Sequence, residues 1–212
     1  MLSFFKSNKY SPATVNSTYY IRECLIHNVD DLNLILQADL KEFTLIAKTD
    51  VDLEIKNLLL IGLTEKKLIT SLKQPIYIFE NSESLKGHKV LFYKEDVGFY
   101  RFLLQFHFMD GEFFFASNRV SSSGLLPEAE KNKIIHQILS RYSIKTEEEY
   151  KDFHLMITDE NDSVLTTVDE VYFNVNYLCG GETKNNMISR FSGQKDQKNQ
   201  KSDFDSNVDK YF

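Results

Sequence analysis

Apolar residues recur along this chain with two periods, and each change of period marks a boundary between elements. Residues 1–18 are rich in Ser, Asn, Thr and Lys and read as a flexible lead-in. YYIRECLIH at 19–27 alternates apolar and polar positions, the pattern of a strand. In residues 28–48, Val29, Leu32, Leu36, Leu40 and Phe43 form a stripe at helical spacing, with Asn28 and Asp30 as usable N-caps. Period two also fits, through Leu32, Leu34 and Leu36 and then Phe43, Leu45 and Ala47; the uninterrupted length favours a helix over about 30–47. An apolar cluster at 51–60 has no clear period. Gly62 breaks it, Thr64 is a good N-cap with Glu65 in the first turn, and Leu68, Ile69 and Leu72 give a short helix one apolar side. Pro75 stops that helix and disfavours the α region at Gln74.

Strand patterns follow. IYIF at 76–79 and KVLFY at 89–93 are separated by the polar NSESLKG, and KEDVG reads as a further turn. FYRFLLQFHF at 99–108 places Phe102, Leu104, Phe106 and Phe108 on one face, and Asp110-Gly111 is a strong two-residue hairpin signal leading into EFFFASNRV. SSSGLL at 121–126 is a loop, and Pro127 suits the first turn of a helix whose stripe is Ile134, Ile135, Ile138, Leu139 and Tyr142. KTEEEYKD is a polar connector or a helical turn, its acidic run Glu147-Glu148-Glu149 capping or solvating a helix start. FHLMI at 153–157, VLTTV after the turn DENDS, and VYFNVNYLC at 171–179 are the last predicted strands. From about Gly181 the chain turns to Lys, Gln, Asn, Ser and Asp, which predicts a disordered tail to Phe212. Its ending, DKYF, is read as a remnant of that tail, with a short docking motif as the alternative.

The resulting fold class is α+β: short helices packed on an antiparallel β-meander, followed by a second helix-plus-β unit. The organisation is a flexible 1–18, a helix-plus-meander unit at 19–121, a second unit at 127–180 in the same compact fold, and a disordered 181–212. The second unit either extends the first sheet or forms a similar second layer.

Composition narrows the functional classes. Among 212 residues there are 17 Phe, 11 Tyr and no Trp, which suits a substantial sheet. The net charge of -6 and the lack of a dense Lys/Arg cluster argue against nucleic acid and favour a protein partner. The N-terminus lacks the apolar core and cleavage site of a secretory signal, and no window approaches the ~20 apolar residues of a membrane span, so no membrane association and a cytoplasmic location are expected. Cys24 and Cys179 lie far apart in apolar surroundings and read as reduced, buried thiols, with one long-range disulfide as the alternative.

Candidate chemistry is sparse. Asp159, Asn161, Ser163, Leu165, Thr167 and Glu170 have the spacing of a calcium loop, but Val164 stands where the turn needs glycine and strands flank it, so a hairpin turn is expected. None of the histidines, His27, His88, His107, His136 and His154, belongs to a metal or catalytic motif, and surface positions are expected for them. SSSG is not a nucleophile elbow, and Gly180-Gly181 is too short for a phosphate cradle and is expected to lack a following helix. No cofactor, metal site or catalytic residue is assigned.

Gly62, Thr64, the short helix, the Gln74-Pro75 stop, Tyr93 and QFHFMDGEFFF together resemble the SmpA/OmlA family of small α/β modules, an architecture shared with beta-lactamase-inhibitor-like modules, over residues 61–121. In that family a Gly-Thr pair opens a helix, a Leu-Gly-x-Pro segment closes it and a three-stranded meander follows; Phe106, Phe108 and Gly111 resemble its strand-turn motif. Lys73 stands near the family's helix-ending glycine, and the lipobox cysteine of its exported members is not seen. The resemblance implies a non-enzymatic binding scaffold.

The expectation is therefore a non-catalytic protein–protein interaction module, such as an adaptor, inhibitor or immunity-type protein. The alternative is a small-ligand binder or enzyme with a Tyr/Phe-lined pocket between helix and sheet. The sheet core absorbs most of the phenylalanines, but successive strand residues point to opposite faces, so at least one ring of Phe113, Phe114 and Phe115 lies on the outer face. That face is covered by the C-terminal unit or is a partner surface, and the expected partner surface is Phe113, Phe114, Phe115 and His107.

Overall fold

The computed structural model describes residues 17–37, 43–81, 83–145 and 153–192. Its strands are β1 (Leu45–Lys48), β2 (Glu54–Ile55), β3 (Leu58–Leu59), β4 (Tyr77–Asn81), β5 (His88–Val97), β6 (Tyr100–Met109), β7 (Glu112–Ser121), β8 (Leu155–Thr158), β9 (Val164–Asp169) and β10 (Phe173–Leu178). Its helices are α1 (Ser17–Glu23), α2 (Val29–Leu36), α3 (Glu65–Leu72), α4 (Glu128–Arg141) and α5 (Gly181–Ser192). Eight strands form one sheet in the order β1-β8-β9-β10-β7-β6-β5-β4, and β2 and β3 make a separate small hairpin. Every pairing in the large sheet is antiparallel except β1 with β8. This is the expected α+β class, with the sheet dominant.

A helix followed by a meander occurs twice, as α3 with β4 to β7 and as α4 with β8 to β10. The last strands of the two units, β7 and β10, pair antiparallel from Phe115↔Leu178 to Val120↔Phe173, so the second unit extends the first sheet. The N-terminal strand β1 completes the outer edge beside β8.

Local signals account for the turns. Asp110 and Gly111 both have positive φ (51° and 88°), as do Lys56 and Asn57 between β2 and β3 (55° and 60°), the geometry that matches strand twist in two-residue hairpins. The polar run Lys94 to Val97, expected as a turn, continues β5, and the chain reverses at Gly98 and Phe99 instead. Thr64 caps α3 by accepting the Lys67 N–H at 3.3 Å. Pro127 is the N-cap of α4, one position before the expected first turn.

Both faces of the sheet are covered. On the first, Leu68 of α3, Ile135 and Leu139 of α4 and Leu53, Ile55 and Leu60 of the β2–β3 hairpin pack on Leu91, Leu104, Phe106, Phe108 and Phe113. On the second, α1 lays Tyr20 against Tyr77 and Phe92, while α2 and α5 place Leu32, Leu36, Met187 and Phe191 on Met109, Phe114 and Phe115. Each fully buried aliphatic or aromatic side chain contributes about 1.5–3 kcal/mol. Among the described residues no helix is long and apolar enough to cross a membrane.

The second-face layer departs from the expected elements. The predicted strand at 19–27 is α1 followed by an irregular, bent Cys24–Ile26, because Tyr20 reaches the sheet from a helical turn. The predicted helix at 30–47 ends at Leu36, and Leu45 begins β1, where pairing with β8 decides between the two periods. The tail predicted from 181 is helical to Ser192, anchored by buried Met187 and Phe191 one turn apart. Residues 1–16, 38–42, 146–152 and 193–212, on which the flexible lead-in, part of the predicted 30–47 helix, the acidic connector and the rest of the tail were expected, lie outside the described residues.

Lys73, at the C-cap of α3, has φ 68° and ψ -162°, a conformation that only glycine adopts without strain. Lys73→Gly is expected to raise the unfolding free energy by about 0.5–1 kcal/mol, since relief of strain outweighs the added entropy of the unfolded chain. Urea denaturation of the two proteins checks this; an unchanged or lower midpoint refutes it.

Candidate functional site

An apolar concave surface lies on the second face, between α2 and strands β7, β9 and β10. It is a groove of about 330 Å³. One wall is Leu25, Asp31, Leu34 and Ile35 from α2 and the segment before it; the other is Phe115 of β7, Val164, Thr166 and Val168 of β9, and Asn176 and Leu178 of β10, with Phe43 also lining it.

The α2 wall is held from both ends. Asn28 accepts the N–H groups of Asp30 (2.8 Å) and Asp31 (3.1 Å), while the Asp31 carboxylate accepts those of His27 (2.7 Å) and Asn28 (3.2 Å), a reciprocal capping box. Asn81 of β4 donates to the His27 carbonyl at 2.6 Å. Gln105 of β6 donates to the Glu23 carbonyl (2.6 Å) and accepts the Leu25 N–H (3.2 Å), which ties the α1–α2 link to the sheet. With Leu32 and Leu36 turned inward, Leu34 is left 75% exposed beside the groove.

The sheet wall follows from register. A cross-strand row runs Gln105, Ser117, Asn176, Thr166, Met156 and Ile46 from β6 to β1. It begins polar beneath α1 and ends apolar at the edge, where Ile46 is 53% exposed. Asn176 Oδ1 and Ser117 Oγ are buried without hydrogen-bond partners. Among the described residues, Asp31 is the one titratable side chain lining the groove, and its Oδ2 is committed to the cap. The groove therefore offers apolar contact area, with no acid–base pair among the described residues.

Behind Phe115 lies a buried histidine pair. His88 of β5 and His107 of β6 stack with ring centroids 5.2 Å apart and 17° between planes, and His88 Nε2 is 3.0 Å from His107 Nδ1. His107 packs edge-on against Phe115 at 5.2 Å, and both rings contact Phe114. Burial lowers the His88 pKa to about 4, and His107 falls well below its ordinary value for the same reason, with His27 and the opposite ring adding repulsion. Both imidazoles are neutral at pH 7.

This arrangement corrects the expected partner surface. Phe113 is buried in the first-face core, and Phe114, Phe115 and His107 are buried beneath α2 and α5, so none of the four is exposed. A bulge at His107/Phe108 turns both Phe114 and Phe115 to the second face, where α5 of the C-terminal unit covers them. Only Phe115 reaches the groove wall. His88 and His107 also depart from the expected surface positions, because the polar side of this alternating sheet is covered too.

Other candidates are structural. Cys24 and Cys179 are free and buried, and burial raises their pKa to about 12 and about 11, so neither is a thiolate at neutral pH. Asp159 spends its carboxylate on the N–H groups of Leu53, Asn161 and Ser163 in the β8–β9 turn. Gly180-Gly181 does precede a helix, contrary to expectation, but Gly180 is packed against the backbone of 161–163.

The groove residues Leu25, Leu34, Ile35, Thr166 and Asn176 carry no motif. The available signal was a surplus: a helix at 29–36 buries Leu32 and Leu36 on one stripe and leaves Leu34 outside it. No protein-family model, curated protein or solved structure matches this chain, and the site rests on its own geometry.

Proposed function

We propose that this protein is a non-catalytic interaction module that takes up an apolar segment of a protein partner in the groove between α2 and the sheet. The observation that carries this reading is exposed apolar surface gathered at one place: Leu34 and Leu25 on one wall and Ile46 at the sheet edge, around an apolar cleft. That its described lining holds no pair of titratable groups supports binding over reaction. The resemblance of residues 61–121 to SmpA/OmlA-type modules points the same way, since that family implies a binding scaffold. A second reading, a small amphipathic ligand, is favoured by the groove's volume of about 330 Å³, at the lower end of small-molecule sites.

Leu34→Asp separates structure from binding. The side chain is 75% exposed, so the unfolding midpoint is expected to stay within about 0.5 kcal/mol of the parent. A stoichiometric protein that co-purifies with the parent should bind the variant at least tenfold more weakly, read by calorimetry with the purified partner. Equal affinity for both proteins refutes the groove as the partner site, and a co-purifying small molecule in its place selects the second reading.

A further inference from the structure

We propose that the His88–His107 pair is a proton-sensitive latch that holds α2 and α5 on the sheet and so regulates the groove. The inference rests on the groove reading for its functional meaning and on the pair's own geometry for its operation. The rings share one contact, His88 Nε2 to His107 Nδ1, and that contact needs a single proton between two nitrogens. A first proton goes to the outer nitrogen of the donor ring and leaves this contact in place; a second makes both facing nitrogens donors and destroys it. The outer nitrogens, His88 Nδ1 and His107 Nε2, are buried without partners, so a new N–H finds no acceptor. The rings stack 5.2 Å apart, which sets two cations against each other.

Among the described residues, the carboxylates around the pair are taken up elsewhere: Glu65 and Glu80, which line a surface pocket with His88, both pair with Lys89. On the α2 side, His27 adds repulsion, and Asp31 Oδ2 is committed to the helix cap. On the α5 side, Arg190 is paired with Asp110 of the β6–β7 turn. In the β4–β5 loop, Glu83 and Lys86 are exposed, and Glu23 of α1 is paired with Arg119. Phe114 and Phe115, which contact the rings, are also the residues on which α2 and α5 rest. Lifting that layer hydrates a charged ring, removes the α2 wall of the groove and uncovers Phe115.

The sign follows from linkage. The closed state binds these protons more weakly than the open state, whose histidines titrate near 6.5, so closure is fully favoured above about pH 6.5 and is lost as pH falls towards 4. Each histidine that charges on opening weakens closure roughly tenfold per pH unit in that window.

The test is hydrogen exchange on the full chain between pH 7.5 and 4.5, corrected for intrinsic rates. Amides of α2 and α5 are expected to lose protection by at least tenfold between pH 6.5 and 5, while β5 and β6 keep theirs, and His88→Phe/His107→Phe should flatten the dependence. Protection independent of pH, or an equal loss in the double variant, overturns the latch. Should the double variant not fold, the ring C–H resonances of the parent decide: titration of either imidazole near 6.5 with α2 and α5 still protected refutes the proposal. No partner is needed for these readings, so loss of the latch and failure of the groove as a binding site are told apart.

Discussion

Gly180→Ala is expected to destabilise the protein by about 3 kcal/mol or more, the upper end of overpacking effects. A Cβ on Gly180 would stand 2.2 Å from the Asn161 carbonyl oxygen and 2.3 Å from the Ser163 nitrogen, against contacts that side chains keep beyond 3.0 Å. The obstructing atoms are backbone, so no rotamer change clears them. The β8–β9 turn must move away from the end of β10 by most of an ångström. That movement pulls on the Gly180 N–H, which donates to Ser163 Oγ at 3.2 Å, and on the Cys179 N–H, which donates to the Phe114 carbonyl at 2.8 Å. For a chain of this size the loss corresponds to a fall of roughly 6–12 °C in Tm. Gly124→Ala is the control: its Cβ meets nothing within 4 Å and its midpoint should be unchanged within about 0.5 kcal/mol. Calorimetric melting of the three proteins checks the pair of outcomes, and a Gly180→Ala variant that melts with the control refutes the packing argument.

The position of Gly180 illustrates what could be read from the chain. Elements whose cause is local were legible. Thr64 and Pro75 bound α3, the stripe from Ile134 to Tyr142 forms α4, and Asp110-Gly111 joins β6 to β7, because a cap, a helical period or a positive-φ turn acts within a few residues. Elements whose cause is distant were not. The helix α1 has seven residues and none of them is fully buried; Tyr20 on Tyr77 and the Glu23 carbonyl bonded to Gln105 hold it, and neither contact is visible in alternation. The helix α5 lies in a polar stretch whose two anchors, Met187 and Phe191, matter only because Phe114 and Phe115 lie beneath them.

The candidate site was hidden for a related reason. Alternation assigns residues to two faces but does not say how many faces are covered. One covered face makes His88, Gln105, His107 and Ser117 solvent-facing; a second helical layer buries all four. With the faces covered by α1, α2 and α5, the open surface moves to the outward side of α2 and to the β1–β8–β9 part of the sheet. Thus the phenylalanines marked as a partner surface became the floor of a second core, and Leu34, which alternation had grouped with Leu32 and Leu36, became the exposed residue.

Asp159→Ala is expected to cost about 4 kcal/mol and to act across the fold. Asp159 is buried, and its two oxygens accept three backbone N–H groups: Oδ1 from Asn161 (2.9 Å) and Ser163 (2.9 Å), Oδ2 from Leu53 (3.0 Å). The first two shape the β8–β9 turn, and the third fastens the start of the β2–β3 hairpin 106 residues away in sequence. Alanine leaves up to three donors unpaired, each costing about 1–3 kcal/mol when water cannot replace the acceptor. Asp159→Asn discriminates this account from a simple packing loss. An amide keeps the volume but has one oxygen: placed at Oδ1 it turns its NH2 towards the Leu53 N–H, and flipped it confronts the two turn donors. Either way at least one donor faces another, so the asparagine variant should lose roughly half as much stability as alanine. The hairpin is also held by Tyr142, whose hydroxyl donates to the Glu54 carbonyl (3.2 Å) and accepts the Glu54 N–H (3.3 Å), so Asp159→Ala should loosen β2–β3 more than it disturbs α4. Hydrogen exchange at Leu53 N and Ser163 N, with denaturant midpoints, reads all of this. An asparagine variant as stable as the parent would show that the turn needs only the side chain's shape.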